Sequence, residues 1–309
     1  MTHNKKSGDD AVTTAKAKLT TMLGNYPNVM PLKTGAVASD LIDFDFVDVK
    51  VANQMFKPLV REAKYDAGEL AIVTYLQART YGKPYILIPA VVVGRGQHHT
   101  IAYNPERGPL RPSDLAGKRV GARAYTVTTV TWVRGILAEE YGVDLGKVHW
   151  VTFEDPHLAE YRDPDFVERA PAGKNMVQML LDGELDAAVV GDHLPDPRLR
   201  HLIPDPEEAA RRFAETHGGV PINHLVVIRD EIARARPEVV REVYRLLQAS
   251  KEAAGLPASG TALDPLRFGI EANRASLDVI IDYAFRQGLI PRRYAVDELF
   301  ADFNRCLDG

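Results

Sequence analysis

Tyr85-Ile-Leu-Ile-Pro-Ala-Val-Val-Val93 is a nearly continuous apolar run that breaks off into the turn Gly94-Arg-Gly-Gln-His98. A strand with apolar side chains on both faces belongs inside an α/β sheet, with helices covering it above and below. Beyond the turn, His99 to Tyr103 resumes an extended pattern, and Pro105, Gly108, Pro109 and Pro112 then crowd one short segment, as in a linker between lobes. Ser113 to Arg123 reads as a helical turn leading to a strand. Thr126 to Tyr141 reads as a helix with Val130, Val133, Leu137 and Tyr141 on one side and Gly142 as its stop. A strand at Val148 to Phe153, a helix at Met176 to Leu181, the turn Asp182-Gly183 and a strand at Asp186 to Val190 complete a second α/β unit.

Further out, Pro221 to Ile228 reads as a strand returning to the first unit, and Glu231 to Ala254 and Ala272 to Gln287 as amphipathic helices. Upstream, strands are expected at Val29 to Thr34 and Phe44 to Val51. A helix is expected over Asp66 to Arg79, where Asp66 and Glu69 have capping-box spacing and Gly82 closes the element. Residues 1–26 read as a polar N-terminal extension. Alternating strands and helices imply mainly parallel sheets, with the chain leaving the first lobe near residue 107 and re-entering it near 224. Lobe one is then 27–107 plus 224–309 and lobe two 108–223. Two crossings leave a cleft, and ligands of such sheets lie at strand carboxyl ends.

The chain has 309 residues, more than one domain's usual share of about 150. Its 45% hydrophobic and 26% charged residues are those of a globular protein rather than a disordered or collagenous one. A net charge of −4, with no dense basic run, lacks the footprint of a nucleic-acid binder. The single cysteine, Cys306, excludes an intramolecular disulfide and a thiolate metal cluster. In the first stretch Gly8, Asp9 and Asp10 stand where a secretory signal has its apolar segment, and no window approaches a membrane span. A cytoplasmic protein without membrane partners is expected; a homo-oligomer is left open.

The segment DLAGKRVGARAY (114–125) followed by a helix, and LLDGELDAAVVG (180–191) followed by a loop, resemble the second-lobe signature of type 2 periplasmic-binding-protein folds. The longer run from GRGQHHTIAY (94–103) through GKNMVQMLLDGELDAAVVG (173–191) to PINH (221–224) is similar to the 4,5-dihydroxyphthalate decarboxylase family, over roughly residues 55 to 229. The resemblance implies a two-lobed α/β fold of periplasmic-binding-protein type with the ligand cleft between lobes. It also implies loss of one carboxylate from an aromatic diacid to give protocatechuate; no cofactor is expected, and no metal, because no ligand spacing supports one. A non-catalytic solute-binding protein for an aromatic acid would use the same fold, but ordinarily with an export or lipid-anchor signal. A thiamine-pyrimidine synthase of similar fold would need a reactive lysine and a cysteine-rich motif that this chain lacks.

Removing a carboxylate from an arene requires a place for its bonding electrons, which protonation of the ipso carbon provides. Three roles follow: a base near the phenol para to that carbon, an acid over the ring, and cations holding the diacid. Arg123 at a strand end and Thr126, Thr128 and Thr129 at the following helix start suit a carboxylate. Arg95 and His98 sit in the turn after the apolar strand, and imidazole exchanges protons near neutral pH; His99 should face the other way. Glu154, Asp155 and His157 share a loop after another strand, as acid or base, as caps, or as a metal site without supporting ligand spacing. Lys174 could take the second carboxylate. His224 with Asn223 lies at the returning strand, as a ligand or a hinge contact; Asp192 and His193 suit a turn equally well. Arg134 suits a salt bridge or substrate. Trp150 reads as core, whereas Trp132 could stack on a ring. Asp66 and Glu69 are caps or cleft acids.

Overall fold

The computed structural model describes residues 15–257 and 263–308, so the first fourteen residues of the expected extension lie outside the described part. The rest of that extension is not a tail. Ala17–Met22 forms strand β1, between β2 (Ile42–Phe46) and β3 (Ala67–Ala71), to both of which it is parallel. Its alternation is disguised by Thr20 and Thr21, but Leu19 and Met22 are fully packed into the core. The stretch expected as a strand from Val29 instead turns through helix α1 (Met30–Lys33), with Pro31 in its first turn, where a missing N–H costs nothing.

The segment 66–79 divides into two elements. Ala67 to Ala71 is strand, and only at Ile72 does helix α3 (Ile72–Thr80) begin, after helix α2 (Ala52–Glu62) earlier in the chain. All five strand residues are buried, so no period-2 pattern marks them. Gly68 has Met22's carbonyl oxygen 2.8 Å from where a Cβ would stand, so β1 and β3 approach as closely as they do because position 68 carries no side chain. Asp66 accepts a hydrogen bond from the Thr20 amide at 2.9 Å instead of capping a helix.

The apolar run forms β4 (Tyr85–Gly94), and the first sheet is ordered β2-β1-β3-β11-β4, where β11 (Ile222–Arg229) is antiparallel to both neighbours. The second sheet contains β5 (Ile101–Tyr103), β6 (Arg119–Ala122), β7 (His149–Thr152), β8 (Glu168–Arg169), β9 (Ala187–Val189) and β10 (Arg200–His201), in the order β10-β5-β9-β6-β7-β8. Because β5 already pairs with β9, the first crossing lies between Gly94 and Ile101, earlier than the proline-rich segment near 107 suggested. The proline cluster is a surface connection within the second lobe. The chain returns between β10 and β11.

Helix α4 (Thr128–Tyr141) ends at Gly142 in the left-handed conformation, φ 65°, which glycine adopts without strain. It lies against α9 (Ile270–Arg286), where a Cβ at Gly135 would sit 2.0 Å from the Tyr283 ring. Trp132 is wholly buried there, edge-on to Phe213 and Tyr283, and donates its indole N–H to the Ile222 carbonyl at 2.9 Å. It is core and cannot stack on a ligand. Arg61 of α2 donates to the carbonyls of Pro156 and His157, and Lys83 pairs with Glu160 at 2.5 Å, so a second-lobe loop is fastened to the first lobe. No helix among the described residues is long and apolar enough to cross a membrane.

Candidate active site

Between the two sheets lies a cavity of about 760 Å³, within the range of small-molecule sites. Arg123 follows β6, Glu154 follows β7, Asp192 follows β9 and Arg95 follows β4, all on its wall. His224 reaches it from the start of a strand. The reason is direction: β11 runs antiparallel in the first sheet, its His224 paired with Ala71 and its Ile222 with Gly94, so its beginning lies beside its neighbours' ends.

One side of this wall carries the cations. Among the described residues the Arg123 guanidinium has only Glu154 as an ion partner, at 3.5 Å, and burial pulls its pKa below the usual guanidinium value, against the opposing pull of Glu154. Arg95 is ion-paired with Asp192 and directs Nη2 to Thr129 Oγ1 at 3.5 Å. Thr129 also accepts from the Asn223 amide at 3.3 Å, and Asn223 in turn accepts from Gln97 at 2.8 Å. The Thr128 hydroxyl accepts the Val73 amide at 3.1 Å, which ties the first turns of α3 and α4 together with their N–H ends towards the cavity. Thr126 is buried and is not on the wall. Lys174 lies at the rim, its ammonium held by both oxygens of Glu184 at 2.7 and 2.9 Å.

The opposite side carries two imidazoles, edge-on to the Phe56 ring with centroids 5.4 Å (His157) and 5.1 Å (His224) away. His157 is 4% exposed and its Nδ1 meets Thr74 Oγ1 at 2.8 Å. Burial foremost, then the fields of Arg123, Lys57, His224 and Arg61, push its pKa down to about 3, so the ring is neutral at neutral pH. His224 Nδ1 lies 2.5 Å from Glu69 Oε2. Glu69 is fully buried and also accepts from the Gly24 amide at 2.6 Å and the Tyr26 hydroxyl at 3.0 Å. Burial, reinforced by the charge of Glu69, drives the Tyr26 pKa far up, which keeps its hydroxyl a donor.

His98 does not belong to this group. It is fully buried off the cavity wall, in a 3-10 turn between α4 and α6 (Pro206–Thr216), its Nε2 3.0 Å from Glu140 and its ring edge-on to Phe213. The turn after β4 is tighter than an extended chain and rotates the imidazole inward. Arg134 is likewise enclosed, its guanidinium 3.6 Å over the Tyr125 ring, and does not line this cavity. Among the described residues no three His, Cys, Asp or Glu side chains come together to hold a metal, the Glu154, Asp155 and His157 loop included. Tyr26 was not a sequence candidate, because it stands in a stretch read as a tail. Glu69 was visible as the one charge in the otherwise apolar run Ala67 to Val73, a pattern that demands buried partners.

No family model matches the chain. A 4,5-dihydroxyphthalate decarboxylase from Comamonas testosteroni is 30% identical to it over 321 aligned positions, which cover 93% of this chain and 97% of that one. One from Pseudomonas putida is 33% identical over 209 positions, covering 63% and 80%. Among solved structures, the periplasmic aliphatic sulphonate-binding protein of Escherichia coli superposes with a TM-score of 0.56 at 13% identity, covering 92% of this chain and 97% of that one. The alkanesulfonate-binding protein of Xanthomonas axonopodis pv. citri, bound to MOPS, gives 0.55 at 15%, covering 93% and 99%. At such identities the structural likeness establishes the fold, a two-lobed periplasmic-binding-protein type, and nothing of the ligand. The sequence likeness, which runs nearly end to end, places the chain in the 4,5-dihydroxyphthalate decarboxylase family of carboxy-lyases.

Proposed function

We propose that the protein decarboxylates 4,5-dihydroxyphthalate to protocatechuate in the cavity between its lobes, using its own side chains and no cofactor. The observation that carries this reading is the pairing, across one cavity, of Arg123 and the α4 start with the two imidazoles His157 and His224. Arg123, Thr129 and the helix amides hold the diacid. Arg95, already paired with Asp192, shapes the pocket more than it binds charge. Lys174 attracts the substrate at the rim.

His224, as imidazolium, gives its Nε2 proton to the ring carbon that bears the departing carboxylate. The positive charge reaches the para hydroxyl, and that hydroxyl becomes a strong acid. A weak base therefore suffices to take its proton and leave a neutral dienone, and the neutral His157 is such a base. The carbon–carboxylate bond then breaks, its electron pair restores the ring and carbon dioxide leaves. The phenolate oxygen recovers its proton and His224 is recharged from solvent. Glu154, whose carboxylate pairs with Arg123, replaces neither imidazole in this scheme.

Incubation with a panel of phthalates and hydroxybenzoates, read as carbon dioxide release, tests the proposal. Release from 4,5-dihydroxyphthalate, with phthalate itself inert because it has no para hydroxyl, is expected. Binding of every aromatic acid with no release from any would favour a solute-binding protein instead.

A further inference from the structure

We infer that Glu69 is a positioning residue for His224 and that Tyr26 and Gly24 hold Glu69 to that task, an inference that rests on the decarboxylase reading above. Glu69 stands in the middle of the first sheet with no exposed surface, where an uncompensated carboxylate is strongly disfavoured. A strand position of that kind is ordinarily apolar, as its neighbours Ala67, Gly68, Leu70 and Ala71 are. Among the described residues its only ion-pair partner is His224. The nearby Lys33 gives its ammonium to the Leu23 carbonyl and Asn25 Oδ1 and does not reach it.

Each contact of Glu69 serves one geometry. Oε1 takes the Gly24 amide, and Oε2 takes the Tyr26 hydroxyl and His224 Nδ1. With Nδ1 donating to a carboxylate, the imidazole is fixed in orientation and its Nε2 is the nitrogen left for the cavity, which His224 lines. When Nε2 is protonated, the new positive charge lies against an anion that is already in place, so no reorganisation is required. Among the described residues His157 has no such anion beside it and meets a threonine hydroxyl instead. The two imidazoles flank one phenylalanine, and only one of them is built to carry charge.

The loop after β1 is shaped for the same end. A Cβ at Gly24 would stand 2.6 Å from the Tyr26 ring, so the absence of a side chain there lets Tyr26 fold back over Glu69. Tyr26 lines the cavity with its ring while its hydroxyl points to the carboxylate, and it thereby separates Glu69 from the substrate. Glu69 is in this arrangement not itself the acid.

The test uses the whole protein with Glu69→Gln and Tyr26→Phe, read by kcat, by KM, by the affinity for phthalate as an unreactive probe, and by proton NMR of nitrogen-labelled histidine. In Glu69→Gln, kcat should fall about 100-fold, the scale of a lost proton-transfer contribution, with KM and phthalate affinity nearly unchanged. The strongly deshielded Nδ1–H resonance of His224 should vanish. Tyr26→Phe, which keeps both carboxylate and ring and so guards against a misfolded Glu69 variant, should lower kcat by a smaller factor and shift that resonance. Undiminished kcat in either folded variant overturns the inference, as does equal loss of kcat and phthalate affinity, the mark of a structural role. A wild-type protein that releases no carbon dioxide from 4,5-dihydroxyphthalate overturns the functional reading alone, because the resonance still reports on Glu69.

Discussion

The two walls of the cavity are built on different principles. The side of the cavity that carries the imidazoles is closed: Glu69, behind the first-sheet wall, has no exposed surface and His157, brought there by the second-lobe loop after β7, almost none, and their polar contacts are short and internal. The wall from the second sheet is more open: the side chains of Arg123 and Glu154 are 26% and 47% exposed, and the ion pair between them is a long 3.5 Å. Solvent screens such a pair, so its guanidinium can exchange a carboxylate of the protein for one of a ligand at little cost. In the proposed function, chemistry belongs to the side of the imidazoles and capture to the side of Arg123.

The largest effect should come from the closed wall. His224→Gln, which keeps the ring's approximate volume without a titrating nitrogen, should lower kcat by about 100-fold or more and leave binding nearly intact, since the lost interaction acts in the transition state. Steady-state kinetics with equilibrium binding of phthalate separates the two. Arg123→Ala should do the reverse, weakening phthalate binding by about 1.5–3 kcal/mol, the worth of a hydrogen bond to a charged group. If both variants lose kcat and affinity in equal proportion, the division between walls is wrong.

Stability against pH sharpens the comparison next. The His157 pKa is about 3 in the fold, against an ordinary 6.5 in the unfolded chain, so the unfolded state binds more protons between these values. The stability associated with neutral His157 is present above pH 6.5 and is lost as pH falls towards 3, by up to about 1.4 kcal/mol per pH unit. Thermal unfolding across that range should show a flatter profile in His157→Gln. His98→Ala should lower stability by about 2 kcal/mol through the lost packing against Phe213 and the lost Glu140 contact, and leave kcat as it was. Lys174→Ala, an exposed residue whose charge is already met by Glu184, should change binding least, by less than about 1 kcal/mol.

The second sheet was far more legible in the sequence than the first. β6, α4 with its Gly142 stop, β7, α5 (Met176–Asp182) and β9 follow the expected order, because each has its own apolar pattern and its own glycine at the turn. In the first sheet β1 hides behind threonines and β3 behind small residues buried on both faces, so neither shows a periodicity. The site divides similarly. Arg123 and Thr129 could be placed on the wall because they follow a parallel strand, where ligands are expected. His224 stands at the beginning of an antiparallel strand, and that reversal is a property of sheet order rather than of local sequence. His98 met the same rule as Arg123, but a 3-10 turn directed it into the core.

The central claim is that His224 delivers the proton that precedes loss of carbon dioxide. Its most direct test is a single-turnover measurement of carbon dioxide release from 4,5-dihydroxyphthalate in water and in deuterium oxide, for the wild-type protein and His224→Gln. Release should be slower in deuterium oxide for the wild type and about 100-fold slower still in the variant, where the acid is missing. A variant that releases carbon dioxide at the wild-type rate, or a wild-type rate indifferent to the solvent isotope, would contradict it.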